Sequence, residues 1–149
     1  MRGECSVVTL EHGMIVNDTD SADIPTPTGP MRTYLFRPAA GGRYPGLVLY
    51  SEIFQVTGPI RRAAAMLASH GFVVAVPEIY HELEPAGTVL PYDEAGAERG
   101  NRHQNIVELR WRCACRAGLS EILLALHGQA GGYGPVHWRA FSVSCGHAG

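Results

Sequence analysis

The stretch Gly46–Pro77, GLVLYSEIFQVTGPIRRAAAMLASHGFVVAVP, decides the fold. Its two ends, Gly46–Ser51 (GLVLYS) and Phe72–Pro77 (FVVAVP), are apolar without alternation. Unbroken apolar runs of this length mark strands buried on both faces of a parallel sheet. Between them Gly58-Pro59 opens a helix, with the proline where a missing N–H costs nothing. Ile60, Ala63, Ala64, Leu67 and Ala68 recur at helical spacing, and Gly71 supplies the stop. Strand, helix and strand in this order form a βαβ unit. The expected class is therefore α/β, with two adjacent or near-adjacent central strands and the Pro59–His70 helix on one face.

Working outward, Met31–Pro38 (MRTYLFRP) alternates and reads as a strand, and Ala39–Pro45 as a turn. Ser6–Leu10 and Gly13–Val16 could pair as a hairpin. Asn17–Pro30, rich in Asp, Thr, Pro and Gly, reads as a loop. Downstream, Glu78–Arg102 carries Pro85, Gly87, Pro91, Gly96 and Gly100 and has no sustained period. Long excursions of this kind are usually functional. Ile106–His127 is apolar at helical spacing, interrupted at Gly118. Gly128–Pro135 reads as a turn and Val136–Val143 as a last strand.

The 149 residues suit one domain, 1–149, and 46% hydrophobic with 17% charged residues is enough for a real core. A net charge of −2 gives no electrostatic footprint for nucleic acid. All twelve basic residues are arginine. Cys5, Cys113, Cys115 and Cys145 fit neither a disulfide framework nor a zinc pattern, and read as free thiols. No secretory signal is visible, and the apolar runs are too short for a bilayer. The expectation is a cytoplasmic protein without a membrane partner.

Tyr44–Asn101 resembles the dienelactone hydrolase family. The likeness is carried by the strand ending in Ser51-Glu52-Ile53-Phe54 and by Gly58, Ile60 and Arg61 at the helix start. It continues through His70-Gly71-Phe72 and Val76-Pro77-Glu78-Ile79-Tyr80 to Pro85-Ala86-Gly87. Past His103 it thins. The resemblance implies a three-layer α/β-hydrolase-like sheet, incomplete here, with only its N-terminal strands and helices. It implies a cysteine or serine nucleophile, an aspartate and a histidine that hydrolyse a small ester or lactone, with no metal and no organic cofactor.

Several residues are candidates for that chemistry. Glu52 follows a buried strand at the carboxyl edge of a parallel sheet, where α/β ligands bind, and is expected to be buried. By resemblance it contacts the resting nucleophile. An oxyanion hole needs N–H donors aimed at developing charge, one from the loop after this strand and one from the residue after the nucleophile. The resemblance puts the first on Ile53 and, with Ser142 as nucleophile, the second on Val143. Glu78, Tyr80, His81 and Glu82 follow the next strand, and Tyr80 or His81 could line the pocket. Glu82 stands where the best-known members carry an arginine that holds a substrate carboxylate, so an anionic substrate would be repelled.

The nucleophile turn wants small-x-Cys/Ser-x-Gly. Ser142 keeps the preceding strand in register and is preferred over Ser144 and Cys145. The family order is nucleophile, acid, histidine. Only His147 follows these candidates, too close in sequence to reach back. The other histidines read as solvated or capping groups. Alone, the chain is therefore expected to be a weak catalyst, or else a catalytically silent module of the same fold. The strand into Ser142 would be a sheet edge open to self-association. A thiol or metal module on Cys113, Cys115 and Cys145 is the remote alternative.

Overall fold

The computed structural model describes residues 13–114 and 138–140, from residue 108 onward in the backbone alone. Five strands and two helices follow one another: β1 (Val16–Thr26), β2 (Gly29–Pro38), β3 (Gly46–Val48), α1 (Gly58–Ser69), β4 (Val73–Pro77), α2 (Glu94–Ala114) and β5 (Trp138–Ala140). They form one mixed sheet in the order β1-β2-β4-β3-β5. β3 and β4 are parallel neighbours, with Leu47 opposite Val74, and β5 lies parallel on the far side of β3. The expected central pair and its crossover helix are as the apolar runs required.

α1 covers one face. Phe36, Val74, Val76, Ala64 and Ala68 are buried together there. Residues of the opposite parity, Met31, Thr33 and Ala75, are also buried, so the other face is covered too. Gly71 ends α1 with φ +88, a backbone state that costs an L side chain strain.

Three expectations need correction. Asn17–Pro30 is not a loop: Val16–Thr26 forms β1, an edge strand paired antiparallel with β2 through a turn at Thr26–Gly29. An edge strand can carry polar side chains and Pro25, because one row of its backbone groups faces solvent. Cross-strand pairs support it: Arg32 Nε lies 3.0 Å from Asp23 Oδ1, and Arg37 Nη2 lies 2.6 Å from Asp20 Oδ2. Of the expected hairpin partners, Val16 opens β1 opposite Pro38. Ser6–Leu10 lies outside the described residues.

β3 is also shorter than Gly46–Ser51, though Leu49 N still donates to Ala75 O at 2.9 Å. Finally, α2 starts at Glu94 and not at Ile106. Asp93 caps it, its Oδ1 accepting from Gly96 N at 2.7 Å.

Candidate functional site

β3, β4 and β5 run parallel, so their carboxyl ends share one edge of the sheet, where α/β folds place their ligands. The loop after β3 reaches that edge as a tight turn. Gln55 N donates to Glu52 O at 3.0 Å, Thr57 N to Gln55 O at 2.9 Å, and Arg61 N to Thr57 O at 3.0 Å as α1 begins. Ile53 N–H finds no hydrogen-bond partner among the described residues.

The turn is strained. Gln55 has φ 71, the left-handed region that favours glycine, and costs on the order of 1–2 kcal/mol for a side chain. It is fully buried, and neither atom of its amide is partnered among the described residues. Ser51 Oγ and Thr57 Oγ1 are buried without partners as well. Strain and orphaned polar atoms of this kind gather where a loop is held for function.

Glu52 is exposed, which corrects the expectation of a buried carboxylate. Tyr92 Oη donates to its Oε1 at 3.1 Å, and the Tyr92 ring stacks on Phe54 with centroids 4.4 Å apart. Leu90 N donates to Phe54 O at 3.1 Å and fastens the same excursion to the turn.

Tyr80, at the end of β4, is 1% exposed. Burial pushes its phenol up to about 12, so it remains a donor, and its Oη gives a 3.2 Å hydrogen bond to Gly100 O. Tyr80 thus anchors α2. Glu78 is buried and faces Tyr34 and the Gly87 turn.

Glu84, with a side chain 1% exposed, accepts from Arg99 Nη2 at 2.8 Å and from His103 Nε2 at 2.6 Å. The His103 ring meets Tyr80 edge-on at 5.3 Å.

His81 Nε2 lies 3.1 Å from Thr26 Oγ1 and 3.2 Å from Thr28 Oγ1, pinning the β1–β2 turn to the end of β4. Thr26 gives its own proton to Gly29 O at 2.6 Å, so His81 Nε2–H must be the donor. Burial holds this imidazole below its ordinary 6.5, opposed in smaller measure by the Glu78 backbone and carboxylate. Glu82 Oε1 is 4.0 Å away.

The unfolded chain takes up the proton first as pH falls, so stability is full above about 6.5 and declines below it. The thermal midpoint should drop on acidification from pH 7 toward pH 5.5 (bracketing the ordinary histidine value), and His81→Gln should flatten that drop. An equally steep profile in the variant would remove His81 from the account.

Ser142 and Val143, with the alternatives Ser144 and Cys145, lie outside the described residues. What is described is the approach: β5 ends at Ala140, opposite Val48, on the same edge as Ile53. The structure thus brings the Glu52–Ile53 turn, Tyr80 and the end of β5 to one rim. No cluster of three or more His, Cys, Asp or Glu side chains suited to a metal occurs among the described residues, and no described helix is long and apolar enough to cross a membrane.

Sequence reasoning missed Gln55, Tyr92 and the Glu84–His103 pair. Tyr92 meets Glu52 forty residues away and Glu84 meets His103 nineteen residues away, contacts that no local period reveals, and nothing local marks Gln55 for a left-handed backbone. Gly96 and Gly100 did leave a signal, four apart and so on one helix face.

Mixed-sheet topology and a crossover helix on the parallel pair are those of an α/β-hydrolase fold. The structure is similar to a dienelactone-hydrolase-like promiscuous phosphotriesterase from metagenomic libraries, at TM-score 0.55 and 18% identity, covering 87% of this chain and 49% of that one. The dienelactone hydrolase family model matches residues 31–114, and the chain belongs to that family. It is 41% identical over 96 residues to the "Putative carboxymethylenebutenolidase" of Saccharomyces cerevisiae, 61% of this chain and 34% of that protein. It is 33% identical over 84 residues to the protein of the same name from Synechocystis, 56% of this chain and 34% of that one. The chain spans about a third of the length of these curated relatives.

Proposed function

We propose that this chain carries the oxyanion half of an ester or lactone hydrolase that works by nucleophilic acyl transfer. The observation that carries the reading is the Ile53 N–H after β3, which has no hydrogen-bond partner among the described residues, in a turn held by the bonds of Gln55 N to Glu52 O and of Thr57 N to Gln55 O. A backbone donor held free costs nothing to reorganise when charge develops on a substrate carbonyl. Val143 N–H is the second donor and Ser142 Oγ the attacking group, delivered by β5. Glu52 lies beside Ile53 at the rim and meets the nucleophile at rest. Tyr80 acts on the site through α2. With carboxylates at Glu52 and Glu82, the favoured substrate is a small neutral ester or lactone.

Hydrolysis of p-nitrophenyl acetate tests this on the purified chain beside Ser142→Ala and Cys145→Ala. A nucleophile without a base is weak, and what survives when triads are dismantled is about 10³–10⁴ over water, from oxyanion donors and binding. We expect slow turnover above buffer that Ser142→Ala abolishes and Cys145→Ala leaves. Loss in Cys145→Ala alone would move the nucleophile to Cys145. No turnover in any form would favour the silent module of the same fold.

A further inference from the structure

We infer that Gly100, in the middle of α2, is a positioning residue that sets the direction of the Ile53 N–H. The inference rests on the reading of Ile53 as an oxyanion donor. A glycine inside a helix is unfavourable for helix formation, so it needs a packing reason. The reason here is close approach. A methyl group on Gly100 would overlap the Ile53 carbonyl oxygen, and would lie 3.0 Å from the carbonyl carbon and 3.1 Å from Ile53 Cβ. Helix backbone thus lies directly against the peptide that follows the donor.

The peptide group is planar, so Ile53 has only φ and ψ with which to move its carbonyl away. Either rotation changes the orientation of the residue's own N–H relative to its carbonyl, so with the carbonyl held against Gly100 the N–H direction is held too. The N–H without a partner among the described residues and the carbonyl pressed on Gly100 are two ends of one residue.

A second contact fixes the helix side of this arrangement. Gly100 O accepts the buried Tyr80 Oη at 3.2 Å, so the residue that touches the β3 turn is tied to the end of β4. The same stretch of α2 is held through Arg99 and His103 on Glu84. Gly96, one turn earlier, is a comparable close approach to the Pro91 carbonyl. The glycine pair therefore seats α2 against the rim, and Gly100 is the member that meets the donor.

The test needs no catalytic turnover. In the full chain, labelled with ¹⁵N, the Ile53 amide resonance is followed in Gly100→Ala and Tyr80→Phe. Glu98→Ala, on the exposed Glu98–Arg102 pair, is the control for a change in α2 that does not touch the turn. We expect Gly100→Ala to move the Ile53 resonance and to lower the thermal midpoint, although helix propensity alone would raise it. Tyr80→Phe should move the same resonance by less, and Glu98→Ala should leave it in place.

A folded Gly100→Ala with an unmoved Ile53 amide would overturn the inference. If Gly100→Ala does not fold, an unmoved Ile53 amide in Tyr80→Phe overturns it instead. Titration with methylphosphonate, a tetrahedral anion, separates the two claims. The wild-type Ile53 amide should shift with added anion, and the apparent affinity should fall at least fivefold in Gly100→Ala. A wild-type amide that ignores the anion sinks the oxyanion reading, while the Gly100 coupling is judged by the resonance alone.

Discussion

Glu78→Ala should destabilise the protein by about 1–2 kcal/mol, the loss of hydrogen bonds to a charged acceptor whose donors, on half-buried Tyr34 and exposed Gly87, water can still reach. Glu78 is 2% exposed. Its Oε1 accepts from Tyr34 Oη at 2.8 Å, and the Gly87 N–H lies 2.9 Å from Oε1 and 3.1 Å from Oε2. Burial, and then the Glu78 carboxylate, hold the Tyr34 phenol above its ordinary value, so it stays a donor. Alanine removes the shared acceptor of both donors and releases the Pro85–Gly87 turn from the sheet. Glutamine keeps an acceptor for Gly87 and places its NH₂ on the Tyr34 oxygen, which can accept. Glu78→Gln should therefore recover more than half of the loss. Urea unfolding measures both. If glutamine costs as much as alanine, the negative charge itself, facing Arg32 and Arg61 through Tyr34, is what the site requires.

Glu78 also shows how much could be read before any coordinates. Its place at the end of an apolar strand put it on the ligand edge, and the buried strands, α1 and the family followed from the same run of residues. Those signals are local: β3 and β4 are apolar because both faces are covered, and α1 repeats every three to four residues because one side is. β1 escaped because edge strands need no apolar period; only Ile24 in Val16–Thr26 is fully buried. The start of α2 escaped because Gly96 and Gly100 look like breakers when read alone. They are contact residues, and their partners, the Pro91 and Ile53 carbonyls, are backbone groups that carry no sequence signature. For the same reason Ile53 could be named by its position after the strand, but its free N–H could not. Glu52 was expected to be buried because strand ends usually are in a complete α/β sheet. Its actual partner, the exposed Tyr92, is forty residues away in an aperiodic segment.

The second large effect lies where α2 meets that segment. Glu84→Ala should cost about 3 kcal/mol, at the lower end of what breaking a buried ion pair costs because one partner can return to water. That partner is Arg99, whose side chain is 53% exposed and can be resolvated. His103 cannot follow it: its side chain is 12% exposed, and its Nδ1 already has no hydrogen-bond partner among the described residues. Losing Glu84 leaves both ring nitrogens unsatisfied against the Tyr80 ring. The penalty should therefore be carried mainly by His103, and a second substitution can show it. His103→Phe retains an edge contact to Tyr80 and brings no nitrogen to satisfy. Made alone, it removes one of Glu84's donors and should cost about 1–2 kcal/mol. Made on top of Glu84→Ala, it should cost nothing or restore stability, a coupling of about 1–2 kcal/mol by double-mutant cycle. Urea midpoints of the four proteins at constant m supply the cycle. Additive losses would mean that Glu84 acts through Arg99 alone. The buried histidine would then be a spacer beneath Tyr80, and the seat of α2 on the rim would depend on Gly100 and Tyr80 without it.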